Sequence, residues 1–268
     1  MHRLAAPPGG RFVAPALIKV SGIADLEKEV FGPVLHLATF AADELDQVIT
    51  AINDTGYGLT FGLHSRIDDR VQHVADRVEA GNIYANRNQI GAIVGSQPFG
   101  GEGLSGTGPK AGGPHYLARF TRRSPDPARG TEAPTLSIPL PCPTGELNRL
   151  SLHPRPTMIC AGPGDAVANQ QRHVVEAMGG VAEAHPNLTA ETVAALGDIG
   201  GVLWWGDDEE AGRALSIALT QRDGPIIPLI TDHPDIAHIF HERHLCVDTT
   251  AAGGNAALLA GSESGYAA

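Results

Sequence analysis

Residues 157–184 read TMICAGPGDAVANQQRHVVEAMGGVAEA, and the order of elements they predict decides the fold class. Thr157–Ala161 is an apolar run of strand length, closed by a glycine turn. Asp165–Met178 spaces its apolar residues at helical intervals, and Val181–Ala184 is again short and strand-like. The same alternation continues outward. Thr189–Leu196 predicts a helix, Gly201–Trp205 a strand, and Asp207–Arg222 a helix whose first turn holds Asp207, Asp208, Glu209 and Glu210, well placed against the N-terminal dipole. Pro225–Thr231 and Leu245–Asp248 predict strands on either side of an Asp235–Glu242 helix. Strands alternating with helices imply βαβ units, and hence an α/β domain with a Rossmann-like, doubly wound parallel sheet over residues 157–268.

Upstream of this region lies a proline-dense stretch, Ser124–Pro156. Proline removes backbone donors and fixes φ, so an extended linker is expected over residues 124–156, with neither a central strand nor a helix. Residues 1–123 then form a separate part. Phe12–Val20 and Val34–Phe40 predict strands, and Asp43–Asn53 an amphipathic helix with Leu45, Val48, Ile49 and Ile52 on one face. A strand at Leu59–His64 leads to a helix over Arg66–Ala80, capped by Gly81, and to a strand at Asn82–Asn86. Gly91–Gly113 holds too much glycine for regular structure. Such a loop lets backbone approach a ligand closely.

Charge divides along the same line. Residues 1–130 carry 13 basic and 13 acidic side chains, whereas residues 131–268 carry 6 basic and 17 acidic, and no lysine follows Lys110. All of the net charge of −11 therefore lies in the second half, which repels phosphate backbones and argues against a nucleic-acid partner. No apolar run reaches the ~20 residues of a membrane span, and the N-terminal MHRLAAPPGGR lacks the apolar core of a signal peptide. A cytoplasmic location is expected. Cys142, Cys160 and Cys246 are widely spaced, which suits a reducing compartment and inert packing roles.

Four phrases stand in order: EVFGPV (29–34), NDTGYGLT (53–60), GNIYANRNQIGAIVGSQPFGG (81–101) and GPKAGGPHYLARF (108–120). Their order and spacing resemble the C-terminal part of the aldehyde dehydrogenase superfamily. The last two resemble the L-glutamate γ-semialdehyde (1-pyrroline-5-carboxylate) dehydrogenase module of the proline utilization A family. The ending CVDTTAAGGNAALLAG (246–261) is similar to the end of the C-terminal domain in that family's longer members, and it echoes NIYANRNQIGAIVG (82–95) within the same chain. The resemblance implies an NAD-dependent enzyme of proline catabolism, with FAD confined to a proline dehydrogenase part that these residues do not contain.

The resemblance assigns Glu29 to the nicotinamide-ribose hydroxyls and Phe31 to the face of that ribose. It assigns Gly91 and Ala92 to the loop anchoring the substrate α-carboxylate, and Phe99 to packing on the substrate's aliphatic chain. Backbone N–H groups in a glycine-rich turn form an anion nest, which suits the carboxylate role. The family's cysteine nucleophile, glutamate base and Rossmann cofactor domain lie upstream of EVFGPV. Only 28 residues precede Glu29 here and none is cysteine. The expectation is a C-terminal fragment of a longer enzyme, inactive alone, with no catalytic residue of its own. Its partners would be the upstream part and, in the whole protein, further copies of itself. The alternative is a non-catalytic assembly or lid module of that enzyme.

Three further patterns carry weaker chemistry. Gly162-Pro-Gly164, with Val167 in place of a third glycine, resembles a dinucleotide fingerprint, and Glu183 could serve as its ribose acid, yet Asp165 would face a pyrophosphate with a like charge. His238, His241 and His244, with His233 nearby, suggest metal, but three-residue steps rotate around a helix and predict a solvated face; no metal site is expected. Trp204 and Trp205 end a central strand as aromatic core.

Overall fold

A computed structural model describes residues 1–120 and 134–250. The chain forms two compact units, residues 1–55 and 56–268.

In the first unit, β1 (His2–Arg3) runs antiparallel to β2 (Ala16–Lys19), which pairs in parallel with β3 (Val34–Leu37), Ala16 opposite Val34. The strand expected from Phe12 starts only at Ala16, because Pro15 has no N–H to give a ladder; its carbonyl instead accepts from Leu4 N at 3.0 Å. α1 (Leu45–Asn53) is amphipathic as its spacing predicts, with Ile49 buried.

The second unit contains the remaining elements. They begin with β4 (Tyr57–Gly58), β5 (Thr60–Leu63), α2 (Asp68–Ala75), β6 (Asn82–Ala85) and β7 (Glu102–Gly103). Next come β8 (Ser137–Pro139), β9 (Glu146–Pro154), β10 (Met158–Cys160), α3 (Gly164–Ala177) and β11 (Ala182–Ala184). α4 (Ala190–Val193), β12 (Gly201–Leu203), α5 (Glu209–Thr220), β13 (Leu229–Ile230), α6 (Ile236–Ile239) and β14 (Phe240–Asp248) complete it.

The parallel sheet is as expected, except that the strand expected at Leu245–Asp248 lies in another sheet. β11, β10, β12 and β13 form a four-stranded parallel sheet in that order. β10 and β12 are buried throughout, because both faces of the sheet are covered. Met158, Leu203 and Ile230 face Val175 and Met178 on one side; Ile159, Ala161 and Val202 face Val193 and Leu219 on the other. Trp205 packs against the first cluster and Trp204 against the second. Both follow the end of β12, and Trp205 Nε1 donates to Asp232 O at 3.1 Å.

A second, mixed sheet of order β5-β6-β14-β9-β8 departs from expectation. Two of its strands, β8 and β9, lie inside the stretch read as an extended linker. The prolines explain both the reading and the outcome. They crowd the first part of the stretch, whereas β9 alternates Asn148, Leu150 and Leu152 inward and meets a proline only at its end. β8 is an edge strand, where Pro139 is tolerated.

The helix expected over Asp235–Glu242 is a single turn, α6, and β14 begins at Phe240. Nine consecutive residues pair antiparallel with β9, from Phe240 opposite Pro154 to Asp248 opposite Glu146. That ladder outweighs one further helical turn. β14 also pairs in parallel with β6, Leu245 opposite Ile83 and Cys246 opposite Tyr84. The echo between 82–95 and 246–261 is thus realised, as far as residue 250, by two adjacent parallel strands; residues 251–261 lie outside the described residues. Gly81 does not cap α2, which ends at Ala75. It stands at the head of β6 with its N–H donated to Gly58 O at 2.9 Å, and a methyl group there would overlap the Gly100 carbonyl.

Candidate functional site

Strand β6 is wholly buried, and its sequence NIYA carries the chain from the sheet interior into the glycine-rich loop. Tyr84 turns its hydroxyl up to donate to Gly91 O at 2.8 Å, tethering the turn to the strand. Gly91 adopts φ +149, a conformation that L side chains rarely take. Ala92 is exposed beside it. Ile93 and Gln97 exchange backbone hydrogen bonds at 3.0 and 2.8 Å, which folds the loop back, and Phe99 does the same with Ala111 at 3.0 and 2.9 Å. Gly91, Ala92 and Phe99 therefore belong to one short loop, with Phe99 half-buried at its base. Glu29 and Phe31 lie in the other compact unit, on the exposed loop between β2 and β3, where Phe31 is 91% exposed.

Beneath the loop is a set of buried charges that sequence reasoning passed over. Lys110 is 1% exposed. Its ammonium donates to Asn82 Oδ1 at 2.7 Å and to Gly100 O. Its backbone N–H donates to Glu242 Oε2 at 2.6 Å, while Glu242 Oε1 meets His115 Nδ1 at 2.7 Å. Glu102 and Arg243 form a bidentate pair, with Nη2 to Oε1 at 2.6 Å and Nε at 3.1 Å from both oxygens. Arg155 reaches Thr107 O at 2.6 Å and Ala237 O at 3.1 Å. The contacts of Lys110 N–H with Glu242 and of Glu102 with Arg243 join the glycine loop to β14, and Arg155, just after β9, bridges Thr107 of the loop and Ala237 of α6. One signal in the sequence could have found them: a single lysine, Lys110, set among six glycine, proline and alanine neighbours.

Burial pushes the Lys110 ammonium down to about 7, with Glu242 and Glu102 opposing the shift. A lysine depressed in the folded state binds fewer protons there than in the unfolded chain between about pH 7 and its ordinary value of 10.5. Stability therefore rises with pH across that window and is lost as pH falls back toward 7. Urea melts at pH 7 and pH 9 should differ by about 1–2 kcal/mol, and Lys110→Met should flatten the difference.

The weaker patterns resolve differently. Gly162, at φ +91, follows β10, but its N–H is taken by Gln171 Oε1 at 2.9 Å, and its carbonyl accepts from Gln171 Nε2 and from Trp205 N. The backbone bond from Trp205 ties the loops after β10 and β12 together across the point where the strand order reverses, the place a nucleotide would enter. The histidines do not form a solvated helix face: only His238 is helical, while His241 and His244 are on β14 and His244 is fully buried, 3.1 Å from Asn148 Oδ1. Among the described residues no group of three or more His, Cys, Asp or Glu could hold a metal. Cys160 and Cys246 are buried, and burial pushes their thiols up to about 12 and about 11. Cys142, expected to pack, is instead exposed.

Residues 4–124 match the model of the aldehyde dehydrogenase family. The chain as a whole is similar to the bifunctional protein PutA of Rhizobium meliloti, 36% identical over 94% of this chain and 25% of that protein. It is also similar to human mitochondrial delta-1-pyrroline-5-carboxylate dehydrogenase, 38% identical over 47% of this chain and 23% of that protein. In fold it is similar to the structure of proline utilization A from Corynebacterium freiburgense, with a TM-score of 0.60 at 24% identity over 85% of this chain and 26% of that one. The chain spans about a quarter of the length of the curated relatives it matches. Among the described residues, no helix is long and apolar enough to cross a membrane.

Proposed function

We propose that the chain is the distal part of an NAD-dependent L-glutamate γ-semialdehyde dehydrogenase, one that oxidises the semialdehyde to glutamate in proline breakdown. The observation that carries this reading is the Gly91–Ala92 turn. It leaves a buried strand, is tethered by the Tyr84 hydroxyl, and stands open at Ala92. A semialdehyde of glutamate carries an α-carboxylate that must be held away from the reacting carbon, and backbone N–H groups of such a turn suit an anion. Phe99 would pack on the aliphatic chain.

An exposed carboxylate at Glu29, two residues from the exposed ring of Phe31, fits one edge of a nicotinamide ribose: two vicinal hydroxyls to donate and an apolar face to cover. NAD would supply the hydride acceptor. The nucleophile and base are assigned to an upstream part, so this chain binds and orients and does not itself react. The first unit supports that division. Val34, Leu35 and Leu37 alternate along β3, so they point to both faces, and each is more than 40% exposed. An edge strand that exposes apolar side chains on both faces needs a covering partner.

The isolated chain should form no NADH from NAD and semialdehyde, whereas the assembled enzyme should. In the assembled enzyme, Phe31→Ala should raise the KM for NAD about tenfold, the loss of an aromatic contact, and leave the KM for semialdehyde unchanged. NADH formation by the isolated chain, or an unchanged KM for NAD, would sink the corresponding part of the reading. A second role, as an assembly module, is favoured by one observation: β14 and β9 extend the sheet that contains β6, so residues beyond the family match buttress the strand leading into the anchor.

A further inference from the structure

Polar groups from two distant stretches of chain meet behind the loop that carries Gly91. Arg87, just after β6, donates from Nη1 to Glu146 Oε1 at 2.7 Å and to Cys246 Sγ at 3.0 Å. Its guanidinium carbon stands 5.5 Å from the centre of the Tyr84 ring. Gln97, at the far end of the loop and 1% exposed, donates from Nε2 to Glu146 Oε2 at 2.8 Å. Asn148 Nδ2 adds a longer contact to the same oxygen at 3.4 Å. Glu146 thus gives one oxygen to each end of the loop.

The chemistry of the carboxylate fixes the orientation of what it holds. It only accepts hydrogen bonds, so the Gln97 amide must turn Nε2 toward Glu146 and Oε1 away from it. A Cβ built on Gly91 would lie 3.1 Å from that Oε1 and 3.3 Å from Arg87 Nη2. The two side chains held by Glu146 are therefore the two that flank Gly91. The backbone of Glu146 is already used in the β9–β14 ladder, opposite Asp248, so the sheet does not need this side-chain arrangement.

We propose that Glu146 is a positioning residue: by holding Arg87 and Gln97 it fixes the Gly91–Ala92 turn in the shape that receives a substrate carboxylate. Strand β9, which lies outside the family match, then preorganises an anchor that lies inside it. The proposal rests on the reading of Gly91 and Ala92 as that anchor. A turn held in one shape binds without the ordering cost that a loose loop would incur.

The test is Glu146→Gln, which keeps the side chain's size but leaves one acceptor oxygen for two donors. In the assembled enzyme it should raise the KM for glutamate semialdehyde about tenfold, leaving kcat unchanged. The KM for butanal, which has no carboxylate, should not move, and Glu146→Asp should recover part of the loss. In the isolated chain, amide hydrogen exchange should quicken over Gly91–Gln97 and stay constant over β6. Equal losses for both aldehydes, or unchanged KM and exchange, would overturn the proposal. If Glu146→Gln fails to fold, Gln97→Met removes one arm of the clamp and must raise the same KM. Should the unmodified enzyme not oxidise semialdehyde at all, the anchor reading falls, and the exchange measurement alone decides whether Glu146 holds the loop.

Discussion

Replacing Arg243 by methionine is expected to destabilise the second unit by about 3–5 kcal/mol, the usual cost of stranding one member of a buried ion pair. Arg243 on β14 and Glu102 on β7 are joined by two parallel hydrogen-bonding arms, and their side chains are only 11% and 6% exposed. Taking away the guanidinium leaves a carboxylate with neither water nor a full set of donors. Glu102→Leu should cost at least as much, because Glu102 also helps to keep the neighbouring Lys110 charged. The double variant Arg243→Met/Glu102→Leu removes both desolvation penalties together, and should return to within about 1–2 kcal/mol of the unmodified protein. Thermal melts read the effect directly: a fall of roughly 10 °C for each single change and a large recovery for the pair. Additive losses in the double variant would show that the two charges do not act as a unit. The outcome matters for the site because this pair, with the Lys110 N–H on Glu242, pins the glycine loop to β14.

Legibility in the sequence followed how locally each feature is encoded. β10, α3, β11, β12 and α5 were readable because apolar runs flanked by glycine, and helical spacing, are written within a dozen residues. β9 was hidden because its neighbours are prolines, although Leu150 and Leu152 alternate as a strand should. Leu245–Asp248 was read as a strand, but the first half of β14 was hidden because HERH places charge in the middle of a strand. Those charges are tolerated only through partners far away: Glu242 through Lys110 and His115, and Arg243 through Glu102. No local pattern encodes that pairing. The candidate anchor shows the same division. Gly91, Ala92 and Phe99 were found through a family phrase, whereas Glu146 and Lys110 gain their roles only when strands about 50 or more positions apart in sequence are brought together.

The last expected result follows from the histidines that the fold turned inward. His153 on β9 and His241 on β14 face each other across the ladder, and His244 stands three residues further on. Burial lowers all three, to about 4 for His153 and about 3 for His241 and His244. Nearby cations add to the effect: Arg243 acts on both His153 and His241, and Lys110 and Arg87 on His244. Between pH 6.5 and about 4 the unfolded chain therefore takes up protons that the folded chain refuses. Stability is complete above the ordinary histidine value and falls as pH drops through this window. Each fully buried histidine contributes about 1.4 kcal/mol per pH unit, and His153 and His241, open in part to water, contribute less. A combined slope of about 2–4 kcal/mol per pH unit removes about 4–8 kcal/mol between pH 6 and pH 4, comparable with the roughly 5–15 kcal/mol by which most domains are stable. Acid unfolding is thus expected between about pH 5 and pH 4, steeply, with β9 and β14 lost together. Circular dichroism melts across pH 4–8 check the slope, and His244→Gln should lower it by about 1.4 kcal/mol per pH unit, the largest share of the three. Because β14 supports β6 and the glycine loop that follows it, the same acid window should abolish hydrogen-exchange protection over Gly91–Gln97 in step with the sheet. Loss of loop protection at a higher pH than strand protection would instead place the weak point in the Lys110 and Glu242 contacts.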